Sequence, residues 1–291
     1  MKKIRILINP IAGSGLAPRI AKMVDASGLN NNYEVETQST EYAGHAVELT
    51  REAVHQEYAA VIAVGGDGTV NEVASSLVGT NTCLGIIPAG SGNGLARHIG
   101  MNLNPHKGLM QLNTAKIEAI DSLKINDRFA VNVSGFGFDG YVAWLFNKSK
   151  KRGLSTYAKI GVQEYFRYPP ADFKINIDGK DYEQSATMLV IANASQFGNA
   201  AVIAPRADLH DGLLDLVAVR RPGILHLPQM FFRLFNGTLK DNNYLKTYHC
   251  KKFTAIASRP LHLHIDGEAV DPISKIDVEL FPASLKVLMP K

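Results

Sequence analysis

The sequence predicts an α/β domain built on a parallel sheet, followed by a second domain dominated by antiparallel β structure. Three observations predict it. Strand-like and helix-like stretches alternate from the N-terminus to about residue 115. Beyond Lys116 the apolar runs instead flank tight-turn signals, Asn126-Asp127, Asp178-Gly179 and Asp266-Gly267. Three glycine-rich turns in the first part each follow a strand and precede a helix.

Residues 4–8 form a short apolar run that stops at Asn9-Pro10 and reads as a buried strand; residues 16–27 have helical spacing. Residues 33–39 read as a strand, 44–55 as a helix, 59–64 as a strand and 69–78 as a helix. A strand at 84–87 and a short helix at 92–99 complete the alternation, which argues for a parallel sheet with helices on both faces. In the second part, runs at 116–125 and 128–134 flank one turn and runs at 172–177 and 182–194 flank another. Strands follow at 213–219, 248–257, 261–265 and 275–280, with helical interruptions at 141–146, 157–167 and 224–235. There is no internal repeat and no low-complexity segment.

A length of 291 residues suits two domains of ordinary size, and 46% hydrophobic with 20% charged residues is a globular composition. Thirty-one Lys and Arg against 27 Asp and Glu leave a charge of +4, too weak to imply nucleic acid. The same charge is compatible with contact with anionic lipid. Cys83 and Cys250 lie too far apart for a disulfide framework or a zinc spacing, which suggests a reducing, cytoplasmic location. The apolar run after Met1-Lys2-Lys3 is too short for a signal peptide. No stretch approaches the roughly 18 apolar residues of a membrane span.

The strongest local signal is Gly65-Gly66-Asp67-Gly68-Thr69, between the strand at 59–64 and a helix with Val70, Val73, Ala74 and Leu77 on one face. Glycines at a strand-to-helix turn permit close backbone approach and positive φ. The helix N-terminus then offers N–H groups to an anion. Asp67 would repel phosphate unless a Mg²⁺ or an alcohol proton is near; taken alone, it reads equally as a helix N-cap. Residues 9–15 and 88–94 repeat the strand–glycine–helix arrangement, so three such loops converge on one edge of a parallel sheet. No P-loop pattern occurs. Residues 135–140 match GxGxxG formally but lie outside the βαβ region and lack the acidic strand end that a dinucleotide site needs.

These residues also carry a family resemblance. Asn9-Pro10 with Ala12, Gly13 and Gly15, Thr40 ahead of Gly44-His45-Ala46, residues 65–72 and residues 88–93 resemble the diacylglycerol kinase catalytic-domain family. That family includes bacterial lipid kinases, sphingosine kinases and ceramide kinases. The resemblance continues through residues 135–139, 211–215 and Asp266-Gly267-Glu268, nearly the whole chain in the expected order.

The resemblance implies a Rossmann-like, phosphofructokinase- and NAD-kinase-like domain over 1–118, a β-sandwich lipid-substrate domain over 119–283, and a last strand, 284–291, returning to the first domain. It implies transfer of the γ-phosphate of ATP to the hydroxyl of a membrane lipid, with Mg²⁺. Asn9, Thr40, Gly65, Gly66, Asp67, Gly68, Thr69, Val70, Asn71, Glu72 and Ser91 would contact ATP, with Glu268 near the nucleotide. Asp266 would accept the hydroxyl proton; the sphingosine kinase pattern gives that task to Asp67, and both readings stay open. Asp211, with the backbone carbonyls of Asp208 and Leu213, matches a Mg²⁺ site, and Asp121 and Asp139 match acids facing the substrate. Gly94 stands where many bacterial members carry an acid, as in the sphingosine and ceramide kinase version.

The expected partners are a membrane lipid and, transiently, the inner membrane face; a homodimer is compatible with the sequence. Lys148, Lys150, Lys151 and Arg152, with the apolar stretch 231–235, would suit docking on a membrane, though each reads more simply as a solvated helix end and a packed core helix. His262 and His264 share a strand face and read as structural. An NAD kinase would share the glycine-rich loop, but residues 211–215 and 266–268 argue against it. Retention of Asp67, Asn71, Asp211, Asp266 and Glu268 together argues against a non-catalytic sensor.

Overall fold

A computed structural model describes residues 1–13, 16–149 and 153–291. Ser14 and Gly15 of the first glycine-rich loop, and Lys150, Lys151 and Arg152 of the basic cluster, lie outside the described residues. The chain divides into two compact units, Met1–Ser122 with Pro282–Lys291, and Leu123–Phe281.

The first unit alternates β1 (Lys2–Ile8), α1 (Ala17–Ser27), β2 (Tyr33–Ser39), α2 (His45–His55), β3 (Ala60–Gly65), α3 (Asp67–Leu77) and β4 (Cys83–Pro88). The short α4 (Gly94–His98) and α5 (Pro105–Leu112) follow, and then β5 (Lys116–Ile125), which contributes residues to both units. All the pairings among β1 to β4 are parallel, in the order β4-β3-β1-β2. β3 and β4 are buried along their whole length, which explains their unbroken apolar runs. β2, whose residues are all half-buried or exposed, is the edge strand. α3 buries Val70, Val73, Ala74 and Leu77 on the face that the sequence spacing predicts.

The second unit holds β6 (Arg128–Ala130), β7 (Val133–Gly137), α6 (Phe138–Lys148), α7 (Leu154–Tyr165), β8 (Ala171–Ile177) and β9 (Lys180–Ala186). It continues with β10 (Met188–Ala192), β11 (Leu214–Val219), α8 (Leu227–Phe235), β12 (Leu245–Cys250) and β13 (Lys252–Ile265). β14 (Glu268–Met289) contributes residues to both units. Pairings within the second unit are antiparallel, with β7, β10, β11 and β12 as successive neighbours. β10 and β11 are buried on both faces. Leu189, Ile191 and Leu216 enter one core; Val190, Ala192 and Val217 enter another.

Several predicted strands differ from those observed. The run 128–134 is split because the Val131 and Asn132 N–H groups leave the ladder and donate to the Asp266 carboxylate. The runs 248–257 and 261–265 redistribute into β12 and one long β13, whose register shifts between Ile256 and Leu261. Pro260 lies within that shift and has no N–H to give a ladder. α5, which the sequence reading leaves out, starts at Pro105 behind an Asn104 cap that accepts the Lys107 N–H. The segment read as a packed core helix, α8, contains no buried residue.

Candidate functional site

The parallel strands of the first unit end in step. Ile8 is level with Ser39 and Val64, and Val64 with Ile87. One residue further, the Thr40 N–H donates to Ile8 O, Asn9 N–H to Val64 O and Ala89 N–H to Gly65 O. Four loops therefore leave the sheet along one edge, where open α/β sheets bind ligands.

Side chains stitch these loops together. Asn9 Nδ2 donates to Thr69 Oγ1 at 3.0 Å, joining the loop after β1 to α3. Glu72 Oε1 accepts the Gly44 N–H at 3.1 Å, joining the loop after β2 to α3. Asp67 accepts the Asn93 N–H at 2.8 Å and the Gly94 N–H at 2.7 Å, one on each carboxylate oxygen. Asn93, in the left-handed region at φ 54°, exchanges hydrogen bonds with the backbone of Gly90. Burial raises the Asp67 carboxyl pKa, against the opposing pull of the Gly94 and Asn93 N–H groups and the Arg97 charge.

Asp67 is thus the first residue of α3 rather than its N-cap, which is Gly66. Gly65, Gly66 and Gly68 do not need positive φ, one of the two expected reasons for glycine here. Packing explains two of them. A Cβ on Gly65 would meet Thr69 Oγ1 at 2.5 Å, and one on Gly66 would meet Gly90 Cα at 3.3 Å. Gly68 is exposed, with nothing within 4 Å of its Cβ position. The side chains of Thr69 and Val70 are buried, so Val70 presents no side chain to a ligand, and Thr40 is buried as well. Ser91 is exposed, and Asn71 is half-buried on α3.

The second unit builds another cluster. Asp266 and Gly267 occupy a two-residue hairpin at φ 47° and 90°. Asp266 is buried, its carboxylate accepts the Val131 and Asn132 N–H groups at 2.8 and 3.1 Å, and its N–H donates to Ser134 Oγ. His264 is buried beneath the same turn. Its Nδ1 accepts the Gly267 N–H at 3.1 Å, which leaves the proton on Nε2, 3.3 Å from Asp139 Oδ2. Gly135 must be glycine, because a Cβ there would sit 1.6 Å from Asp139 Oδ2. The structure therefore brings Asp139 and Asp266 together around His264, a residue that sequence reasoning treated as structural. The buried strand position of His264 gave no separate signal.

The remaining candidates make other contacts. Glu268 is exposed and pairs with Arg128 at 3.7 Å. Asp121 is buried in the first unit, where it accepts the Ala283 N–H at 2.7 Å. Asp208 and Asp211 are exposed; each has one oxygen in a local turn, accepting the His210 and Leu213 N–H groups. Asp215 is buried against His249, with Oδ1 2.5 Å from Nδ1, and burial raises its pKa against the His249 charge. No group of three or more His, Cys, Asp or Glu side chains suited to a metal occurs among the described residues.

Comparison with known proteins covers both units. Residues 3–125 match the family model described as the diacylglycerol kinase catalytic domain. Residues 132–289 match that of the YegS C-terminal NAD kinase beta sandwich-like domain. The diacylglycerol kinase of Bacillus subtilis is 25% identical, over 100% of this chain and 97% of its own. That of Mycobacterium tuberculosis is 29% identical, over 99% and 96%. A solved diacylglycerol kinase structure from Bacillus anthracis superposes with a TM-score of 0.77 at 20% identity, over 99% of this chain and 97% of that one. That likeness establishes the fold.

Proposed function

Because this chain belongs to the diacylglycerol kinase family, in which that catalytic domain precedes a YegS-type β-sandwich-like domain, we propose that it phosphorylates a lipid hydroxyl with ATP, the acceptor being a diacylglycerol-class glycerolipid. The coarser statement, a lipid kinase, follows from the family itself. The choice of acceptor rests on relatives matched over nearly their full length and named for diacylglycerol.

One observation carries the reading: the in-step strand ends whose loops Asp67, Asn9 and Glu72 tie together. Phosphoryl transfer demands positioning and charge compensation more than covalent chemistry. The first-turn N–H groups of α3 lack intrahelical acceptors and suit phosphate oxygens. The open space at Gly68 lets a phosphate approach the backbone. Asp67, with both oxygens holding the neighbouring loop, organises this cradle. Asp266, oriented by two N–H donors, takes the proton of the acceptor hydroxyl as its oxygen attacks the γ-phosphorus and ADP leaves. His264 and Asp139 fix the turn that carries it.

Asp211, with the backbone carbonyls of Asp208 and Leu213, would supply oxygen donors of the kind a hard cation takes and would hold Mg²⁺. Bound there, the ion would brace the loop ahead of β11. No helix among the described residues is long and apolar enough to cross a membrane, so the acceptor is taken to be met at a bilayer surface.

The test is incubation with γ-labelled ATP and, in separate arms, diacylglycerol, ceramide, a sphingoid base, NAD and no acceptor. Label in phosphatidic acid supports the reading; label only in NADP or inorganic phosphate contradicts it.

A further inference from the structure

Residues 220–240 contain Arg220, Arg221, Arg233 and Lys240 and no carboxylate. The segment folds as a short 3-10 turn, Ile224–His226, leading into α8. Leu227, Met230 and Leu234, at spacings of three and four, are half-buried, and Leu234 packs on the core around Val217. Leu239 is buried in the same core, whereas the other large apolar side chains of residues 224–235 point to water. Leu225 is 88% exposed, Phe232 68%, Ile224 64%, Phe231 49% and Phe235 45%. Single exposed apolar residues are ordinary, but five within one short segment form a patch that calls for a partner.

The patch is firmly held. Tyr165 donates its hydroxyl to Pro222 O at 2.8 Å, the Val202 N–H donates to Leu234 O, and the His226 and Tyr244 rings lie 5.0 Å apart. Arg221 lies over the Tyr165 ring, and its Nε and Nη2 are buried without an acceptor. Among the described residues, no carboxylate is bonded to Nε or Nη2 of that guanidinium.

We propose that this segment is the surface on which the enzyme docks to anionic phospholipid, an inference that rests on the lipid-kinase reading. A fixed amphipathic helix with exposed phenylalanines, rimmed by cations and lacking acids, matches a headgroup–acyl boundary of negative charge. A second copy of the chain fits less well. A two-fold contact would press like-charged segments together with no acid to pair them.

The full-length protein is sedimented with phosphatidylcholine vesicles, with and without phosphatidylglycerol, and compared with Leu225→Ser/Phe232→Ser and Arg220→Gln/Arg233→Gln. Wild type is expected to favour the anionic vesicles roughly tenfold, and each double variant to lose roughly tenfold in partition. Activity toward a monomeric short-chain diacylglycerol and the circular dichroism spectrum should stay unchanged. Undiminished partition of the Leu225→Ser/Phe232→Ser protein overturns the proposal. So does conversion of a dimer to a monomer by that variant without change in partition. Failure of wild type to label any lipid would instead count against the kinase reading, while the vesicle arm still decides the docking.

Discussion

Gly66 and Gly90 meet backbone to backbone: a Cβ added to Gly90 would lie 2.5 Å from Gly66 Cα. The loops after β3 and β4 can approach this closely only because neither residue has a side chain there. Gly90→Ala should force them apart, at a cost of about 1–3 kcal/mol in stability with a marked fall in kcat/KM. Denaturant unfolding checks it, and unchanged stability and activity would show that the contact is unimportant.

Gly68 gives the contrasting case. Its Cβ position is open, and it lies in the first turn of α3, so Gly68→Ala should leave the fold intact or strengthen it by up to about 1 kcal/mol. If phosphate approaches the backbone there, KM for ATP rises while stability does not fall. An unchanged KM would place the nucleotide elsewhere.

Asp67 should reveal itself through pH. Its folded pKa is raised, chiefly by burial, so the folded protein binds this proton more tightly than the unfolded chain. The resulting stability is fully present below the ordinary carboxylate pKa of about 4 and is lost as pH rises through the raised value. Wild type should therefore lose stability relative to Asp67→Asn over that rise. Melting temperatures of both proteins across the acid range check it; a constant difference contradicts it.

The His264–Asp139 pair is buried, so removing one partner strands the other. His264→Ala should cost about 1–3 kcal/mol in unfolding free energy. It should also lower kcat by loosening the turn at Asp266, with KM for ATP unchanged. A loss of stability without any change in kcat would make the pair purely structural.

Much of this was legible in the sequence. β3, α3 and β4 could be read because an unbroken apolar run, a glycine-rich turn and a three-and-four spacing all agree on one unit. The hairpin turns at Asp178-Gly179 and Asp266-Gly267 were legible because their φ angles suit few other residues. What escaped depends on contacts distant in sequence. The break in the run 128–134 is caused by a carboxylate 135 residues away, and nothing near Val131 announces it. The bond between Asp67 and Gly94 spans 27 residues and changes the meaning of Asp67 from cap to loop tie. α8 misled because aromatic residues at helical spacing look the same facing a core or facing water.

The central claim, that Asp67 organises the phosphate cradle and Asp266 takes the proton, is tested most directly by steady-state kinetics of Asp67→Asn and Asp266→Asn on one diacylglycerol substrate. Asp266→Asn should lower kcat by about 10²–10⁴ with KM for ATP little changed, whereas Asp67→Asn should raise KM for ATP as well as lower kcat. Undiminished kcat in Asp266→Asn, or an unaltered KM for ATP in Asp67→Asn, would contradict it.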